Sequence, residues 1–238
     1  MKWEVQINGD GRYLKELSKS LNKDELRIIE TDGQFYLQST HFESLETSEK
    51  VRAAALEMIP ILTGATRLAL GGRKPLEVGG IAKLKEDGTR DMHLFAFDTI
   101  HVTEVATLQI QGSDGTVQVV NSAHKVPSWV KLGLSDLNVA KALRLFGTEK
   151  HDWVSLYRIY EVIEEDVGGV DEIVDKGWAM KSSIRHFKHT ANSPGAAGDA
   201  SRHGKESTVP PTDPMDLGEA RSIVEVILHN WLRVKLSP

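Results

Sequence analysis

Polar and apolar residues alternate along the first part of the chain, and this pattern predicts β-strands. The segment WEVQI alternates with period two and ends at Asn8-Gly9. LRIIE and FYLQS flank the turn TDGQ, which predicts a hairpin because an Asp-Gly pair tolerates the positive φ of a tight turn. A second hairpin centred on Asp-Gly is predicted in EVGGIAKLKEDGTRDMHLFAF, and EVATLQI and TVQVV complete the strand-rich region.

Two helical patterns interrupt these strands. Tyr13 to Leu21 reads as a short amphipathic helix, and SEKVRAAALEMIPILTG, beginning at Ser48, reads as a long one. Pro60 is expected to bend or end the regular part of this second helix. Several strands with two helices predict an α+β fold, an N-terminal α/β sandwich with antiparallel hairpins over residues 1–125.

After about residue 121 the pattern becomes helical. Asp136 is a good N-cap for LNVAKALRLF, and Gly168-Gly169 ends the next helix, WVSLYRIYEVIEEDV. A third helix is predicted from about Asp171 to Ala191, with a buried stripe of Ile173, Met180, Ile184, Phe187 and Ala191. A loop then precedes a last helix that begins at Asp216, with Glu219 at capping-box spacing. The sequence therefore predicts an all-α helical bundle over residues 126–238.

Composition narrows the class of protein. The chain has no cysteine, which excludes disulfides, thiolate catalysis and zinc sites built on cysteine. Its apolar content of 40% is enough for a core, but no apolar run approaches the roughly 18–20 residues of a membrane span. The N-terminus lacks the apolar segment of a secretory signal. We therefore expect a cytoplasmic protein with no membrane association, no metal and no cofactor.

The net charge of −5 is unevenly distributed, and one segment is basic. On the third predicted helix a basic stripe follows one face at i, i+4, i+7, i+8 and i+11, formed by Lys181, Arg185, Lys188, His189 and Asn192. Lys205 ends the same basic segment. Lysine and arginine bind phosphate, and histidine titrates near neutrality as an acid–base step requires. The alternative is a solvated helix face whose cations are favoured by the helix dipole.

The loop after this helix carries a second group of candidate residues. It contains Asp199, Arg202, His203 and Gly204. If the loop folded back, His203 and His189 could serve as acid and base on one phosphate, while an arginine stabilised the developing charge. Asp199 lies four residues before His203 and could orient its imidazole if the segment were helical. An ordinary flexible connection is the alternative for this loop.

The order of these C-terminal segments resembles the HEPN-like helical domains of bacterial abortive-infection and other defence proteins. The resemblance rests on WVSLYRIYEVIEEDVGG, KSSIRHFKHTAN, ASRHG, VPPTDPM and EARSIVEVILHNWL, about 45% of the chain. It implies an all-α bundle that often dimerises and, in active members, a metal-independent endoribonuclease whose motif is Arg, four to six residues, then His. Here only three residues separate Arg185 from His189, and Arg202-His203-Gly204 matches only the end of the pattern.

Three hypotheses about function follow. The first is a defence-type protein that binds RNA and cleaves it with Arg185, His189, Arg202 and His203, while Lys181, Lys188, Asn192 and Lys205 bind the nucleic acid. The second is a non-catalytic module that forms a homodimer or binds a partner protein, its basic stripe meeting an acidic patch such as 161–166 of a partner subunit. The third is a small-molecule binder or enzyme whose site lies in the N-terminal domain.

Overall fold

The computed structural model describes residues 2–23, 25–72, 74–85, 88–95, 122–148, 151–202 and 209–237. It divides into two compact units, Met1–Lys131 and Leu132–Pro238, where the sequence predicted 1–125 and 126–238. The first unit contains an antiparallel sheet with helices, and all regular elements of the second are helices in its described residues. The predicted α+β architecture is therefore confirmed.

The N-terminal unit is built on a six-stranded antiparallel sheet of order β2-β3-β4-β1-β5-β6. Its strands are β1 Lys2–Asn8, β2 Asn22–Lys23, β3 Leu26–Thr31, β4 Gln34–Ser39, β5 Glu77–Leu84 and β6 Arg90–His93. Strands β3 and β4 form the first predicted hairpin, and Asp32 and Gly33 both have positive φ, as its tight turn requires. Strands β5 and β6 form the second. The segments EVATLQI and TVQVV lie outside the described residues.

Two helices pack on this sheet, α1 (Gly11–Ser20) and α2 (Ser48–Leu70). Pro60 was expected to bend or end the regular helix, and it does not end it, because α2 continues through Pro60 to Leu70. Pro60 itself is half-buried, but residues 61–69 are buried without exception. The burial of that apolar segment outweighs the roughly 3 kcal/mol that a proline costs inside a helix.

Helix α2 is also long and apolar enough to cross a membrane by length and composition. However, 67% of its apolar window is buried inside the protein. Its contacts with the sheet and with α1 account for that burial. The helix therefore has the properties of the core helix of a soluble protein.

The C-terminal helices are α3 (Val126–Ser135, which begins before the division between the units), α4 (Leu137–Phe146), α5 (Trp153–Val167), α6 (Val170–Asp175), α7 (Lys181–Ala191), α8 (Pro194–Ala197) and α9 (Leu217–Leu236). Two predicted caps are confirmed. The Asp136 carboxylate accepts the backbone N–H groups of Asn138 and Val139 at the start of α4. Asp216 and Glu219 form a complete capping box at the start of α9.

The prediction of one helix from Asp171 to Ala191 is wrong, because the chain forms α6 and α7 with a break at 176–180. Gly177 has a φ of +68°, a conformation that ends a helix and that glycine adopts without strain. The break turns Trp178 inward, where it is buried, and leaves Met180 70% exposed. Met180 was expected on the buried stripe. The other four residues of that stripe are buried.

A charged cluster joins the C-terminal end of the bundle's last helix to α5 and to the start of α4. The Lys235 ammonium lies 2.7 Å from Asp136 and 2.9 Å from Asp166, and the Trp231 indole N–H donates to Asp166. Burial raises the pKa of Asp166, but hydrogen bonds from Asn138, Lys235 and Trp231 outweigh burial and hold that pKa below its usual range. Burial lowers the pKa of Lys235, but its bonds to the two carboxylates outweigh burial and raise it.

These directions predict how stability depends on pH. The depressed pKa of Asp166 contributes stability above the unfolded pKa of about 4, and this contribution is lost as pH falls through the folded value. The raised pKa of Lys235 contributes stability below the unfolded pKa of about 10.4, and this contribution is lost as pH rises through the folded value. We expect Lys235→Met to cost about 1 kcal/mol at pH 7, since the cluster is partly exposed, and clearly less at pH 3.

Urea unfolding of the full chain at both pH values measures this difference. Lys176→Met is the matched control, because the pair between Lys176 and Glu172 is exposed and joins two positions of one helix surface. An equal cost of Lys235→Met at pH 7 and pH 3 would contradict the ionic role of the cluster.

Candidate functional site

The predicted basic stripe lies on α7, but one end of it is already paired. The Lys181 ammonium lies 2.7 Å from the Asp171 carboxylate, and this hydrogen bond raises the lysine pKa. Arg185, one turn further, is exposed and forms no hydrogen bond or ion pair with the described residues. Of these two predicted site residues, only Arg185 offers a cation without a carboxylate beside it.

Lys188 is held against α5 by a tyrosine and a glutamate. Its ammonium lies 3.0 Å from the Glu164 carboxylate and 5.1 Å from the centre of the Tyr160 ring. The Tyr160 hydroxyl donates to the same carboxylate at 2.9 Å. Burial, followed by this hydrogen bond and the charge of Glu164, raises the pKa of the Tyr160 phenol. The carboxylate thus balances the charge of the lysine, whose ammonium is also partly removed from water. Lys188 is therefore poorly placed to bind a phosphate.

Arg202 is held in the same way, by a tyrosine and a glutamate that lie about one turn earlier on α5 than the partners of Lys188. Its guanidinium lies 2.6 Å from the Glu161 carboxylate and 4.3 Å from the centre of the Tyr157 ring. Its backbone N–H donates to the carbonyl of Ala191, the last residue of α7. In both groups the glutamate lies four residues after the tyrosine, so the two side chains share one face of the helix. Three acidic residues of the α5 patch that was expected to meet a partner subunit, Glu161, Glu164 and Asp166, bind cations of their own chain.

The two histidines of α7 bond to the backbone of the 209–215 segment. The Nε2 atom of His189 lies 2.8 Å from the Val209 carbonyl oxygen, and the Nε2 atom of His186 bonds to the Asp213 carbonyl. Because a carbonyl only accepts, each Nε2 must carry a proton in this arrangement. Nδ1 is then the only nitrogen of a neutral His189 that could act as a base.

Of the remaining predicted site residues, the structure describes the side chain of Asn192 only. The Asn192 side-chain amide donates to the Lys188 carbonyl at 2.8 Å, and its buried Oδ1 atom has no partner among the described residues. His203, Lys205 and the side chain of Asp199 lie outside the described part of the chain. The pairing of His189 with His203 on one phosphate therefore stays a prediction.

Comparison with known proteins adds no relative to this description. No family model, no curated protein and no solved structure matches the chain. The resemblance to HEPN-like domains stays a prediction. Within the described ranges, no group of three or more His, Asp or Glu side chains is placed to hold a metal ion.

The overall charge of the helical unit is acidic. Residues 132–238 contain 16 Asp and Glu against 13 Lys and Arg, a formal net charge of −3. An open cleft beside α4 and α5 carries both signs, with Lys141 and Arg158 facing Glu161 and Glu165. Proteins that bind nucleic acid mainly through phosphate present a coherent basic surface. The net negative charge of this unit, together with the pairing of Lys181, Lys188 and Arg202, disfavours that mode of binding.

An apolar groove lies between the α6–α7 break and the middle of α9. Trp178 forms part of its floor and is buried, whereas Met180 and Val226 on its walls are 70% and 50% exposed. The groove is lined by Val174, Trp178, Met180, Ser183, Ile223 and Val226, among others, and no charged side chain of the described residues lines it. Exposed apolar surface next to a buried aromatic is typical of a protein-binding site.

This groove was missed at the level of the sequence. Met180 fits the helical period of the predicted stripe, so it was assigned to the core. The signal that identifies the break is Lys176-Gly177, a glycine placed just after a helical turn. Because the break shifts the helical phase, Met180 moves from the core to the surface.

Proposed function

We propose that the helical unit is a non-catalytic protein-interaction module and that the groove between the α6–α7 break and α9 is its contact surface. One observation carries the proposal: Met180 and Val226 expose apolar side chains in one groove with the buried Trp178. Methionine and aromatic residues are enriched in the cores of protein interfaces, and charged residues are depleted there. We place the protein in the cytoplasm, where disulfides are rare, because the chain contains no cysteine.

The paired cations support the same conclusion. Lys181, Lys188 and Arg202 each bind a carboxylate of their own chain at 2.6–3.0 Å. A phosphate would have to displace those carboxylates to bind. The basic stripe thus contributes mainly to holding α7 and Arg202 against α5 and α6, and it leaves the apolar groove as the described surface best suited to a partner.

The test is site-specific photo-crosslinking in the full chain. A benzoylphenylalanine at position 180 should yield one discrete covalent adduct, whose mass identifies the partner polypeptide. The same residue at position 144 is the control, because Arg144 is exposed on α4 and does not line the groove. Equal yields at the two positions, or no adduct at position 180, would overturn the proposal.

RNA cleavage is the second candidate, favoured by the exposure of both Arg185 and His189 one turn apart on α7. If it is correct, purified protein degrades RNA in the presence of EDTA. His203→Ala and His189→Ala each abolish that activity while leaving the circular dichroism spectrum unchanged. Intact RNA after prolonged incubation would exclude metal-independent cleavage.

A further inference from the structure

The outer face of α9 carries a charge pattern that identifies the occupant of the groove. We propose that the occupant is α9 of a second copy of this chain, docked antiparallel about a two-fold axis through Val226. This inference rests on the proposed function and names the partner of the same surface. Its evidence is the position of three exposed residues along α9.

Glu219, Val226 and Arg233 lie on one line along the helix surface. They are separated by steps of seven residues, and seven residues make two turns and about 10.5 Å of rise. Val226 is half-exposed, and Glu219 and Arg233 are both exposed. Neither charge forms an ion pair with the described residues. An acid and a base are therefore placed symmetrically on either side of an apolar residue.

This symmetry is self-complementary in only one orientation. When two copies of α9 pair antiparallel about Val226, Glu219 of each copy lies opposite Arg233 of the other, and two ion pairs form. A parallel pair in register places glutamate beside glutamate and arginine beside arginine, which is repulsive. A two-fold axis relates equal patches on two identical chains, as an isologous interface requires. The charges thus favour the antiparallel dimer.

The residues between these charges also suit close packing. Ser222 and Asn230 lie four residues before and after Val226. In the antiparallel pair, Ser222 of each copy therefore lies level with Asn230 of the other copy. Both are uncharged, and their side chains bond to backbone carbonyls of their own helix. Met180 and Ile223 border the line on the groove side. A second α9 would therefore cover the apolar side chains of Met180, Ile223 and Val226 while Glu219 and Arg233 pair across the axis.

Glu219 can serve both its helix and the interface. Its Oε2 atom accepts the Asp216 backbone N–H in the capping box. A carboxylate has two oxygens, so the second is free to accept from an arginine of the other copy. Glutamine preserves the capping bond but lacks the charge, and this provides a control that separates the two roles.

Charge reversal tests the pairing directly. The Arg233→Glu dimer would contain two Glu–Glu contacts, and the Glu219→Arg dimer would contain two Arg–Arg contacts. We expect each single variant to self-associate at least about tenfold more weakly than the wild type. An equimolar mixture of the two should form a heterodimer of nearly wild-type affinity, because every pair then joins opposite charges. The double variant should recover a homodimer for the same reason.

Sedimentation equilibrium and native mass spectrometry of the full chains measure these states. Glu219→Gln and circular dichroism control for loss of the helix cap. A fold defect in Glu219→Arg is not rescued by mixing, whereas a charge clash is. The proposal is overturned if the mixture stays as weakly associated as its components, or if the wild-type chain is monomeric across the measured concentration range.

The outcome is distinguishable from failure of the proposed function. A monomeric wild-type chain that still crosslinks from position 180 to a different polypeptide overturns the second copy as partner but keeps the interaction surface. A monomeric chain with no adduct at position 180 overturns both. An adduct between two copies of this chain, together with rescue by mixing, supports both.

Discussion

Phe187→Ala is expected to lower the unfolding free energy of the helical unit by about 3–5 kcal/mol. Phe187 is fully buried on α7 and its ring lies 5.7 Å from the centre of the Tyr157 ring, nearly parallel to it. The Phe187 ring meets the Tyr160 ring edge-on, with 5.8 Å between their centres, and its centre lies 6.3 Å from that of the Trp153 ring. Removing the ring leaves a cavity among large rigid side chains that cannot collapse into it, so both packing and burial are lost.

Urea unfolding of the full chain, followed by circular dichroism, measures this loss. Met180→Ala is the matched control, because Met180 lies about two turns earlier, at the start of α7, but is 70% exposed. Its cost should stay within about 0.5 kcal/mol in the monomer, as for other surface substitutions. A loss below about 1 kcal/mol for Phe187→Ala would contradict the role of this ring in joining α7 to α5.

Arg90→Met should cost the N-terminal unit about 3–5 kcal/mol. The Glu4 carboxylate is only 1% exposed in the middle of the sheet. One of its oxygens accepts from Arg90 at 2.6 Å, and the other accepts from the Gln38 amide. The guanidinium also lies 4.3 Å from the centre of the Tyr36 ring. Without the arginine, a charge stays buried with one neutral hydrogen bond, and this penalty dominates the loss.

A double variant separates this penalty from the net value of the pair. Glu4→Leu combined with Arg90→Met removes both charges, and it should lose clearly less stability than Arg90→Met alone. Lys50→Met is the surface control, because its pair with Glu46 is exposed and such pairs contribute about 0.3–0.5 kcal/mol. Equal losses for the single and the double variant would show that packing, rather than the buried charge, determines the cost.

Local signals predicted much of the fold. The Asp32-Gly33 turn, the Asp136 cap and the Asp216–Glu219 capping box each depend on neighbouring residues in the chain, and the structure contains all three. The predictions failed where burial or helical phase determines how a helix continues. Pro60 is tolerated inside α2 because the residues after it are buried, and the glycine at 177 shifts the phase of the next helix.

The candidate site was harder to predict for a related reason. The spacing on α7 predicts which cations share a face, but spacing does not show which helix packs beside them. Lys188 and Arg202 meet glutamates 24 and 41 residues earlier in the chain. Such long-range pairs depend on the packing of α5 against α7. The apolar groove likewise forms from two distant segments, so no local pattern marks it.

The most direct test of the proposed interface uses the absence of cysteine from the chain. Val226→Cys introduces a single thiol at the two-fold axis. Helices packed 8–10 Å apart bring facing Cα atoms within disulfide range, about 4.4–6.8 Å. Leu56→Cys is the control, because Leu56 is 48% exposed on α2 of the other unit, close to the 50% of Val226. Under mild oxidation, we predict that Val226→Cys forms a disulfide-linked dimer rapidly and nearly completely, while Leu56→Cys stays monomeric. Equal, slow crosslinking of the two variants would contradict the interface.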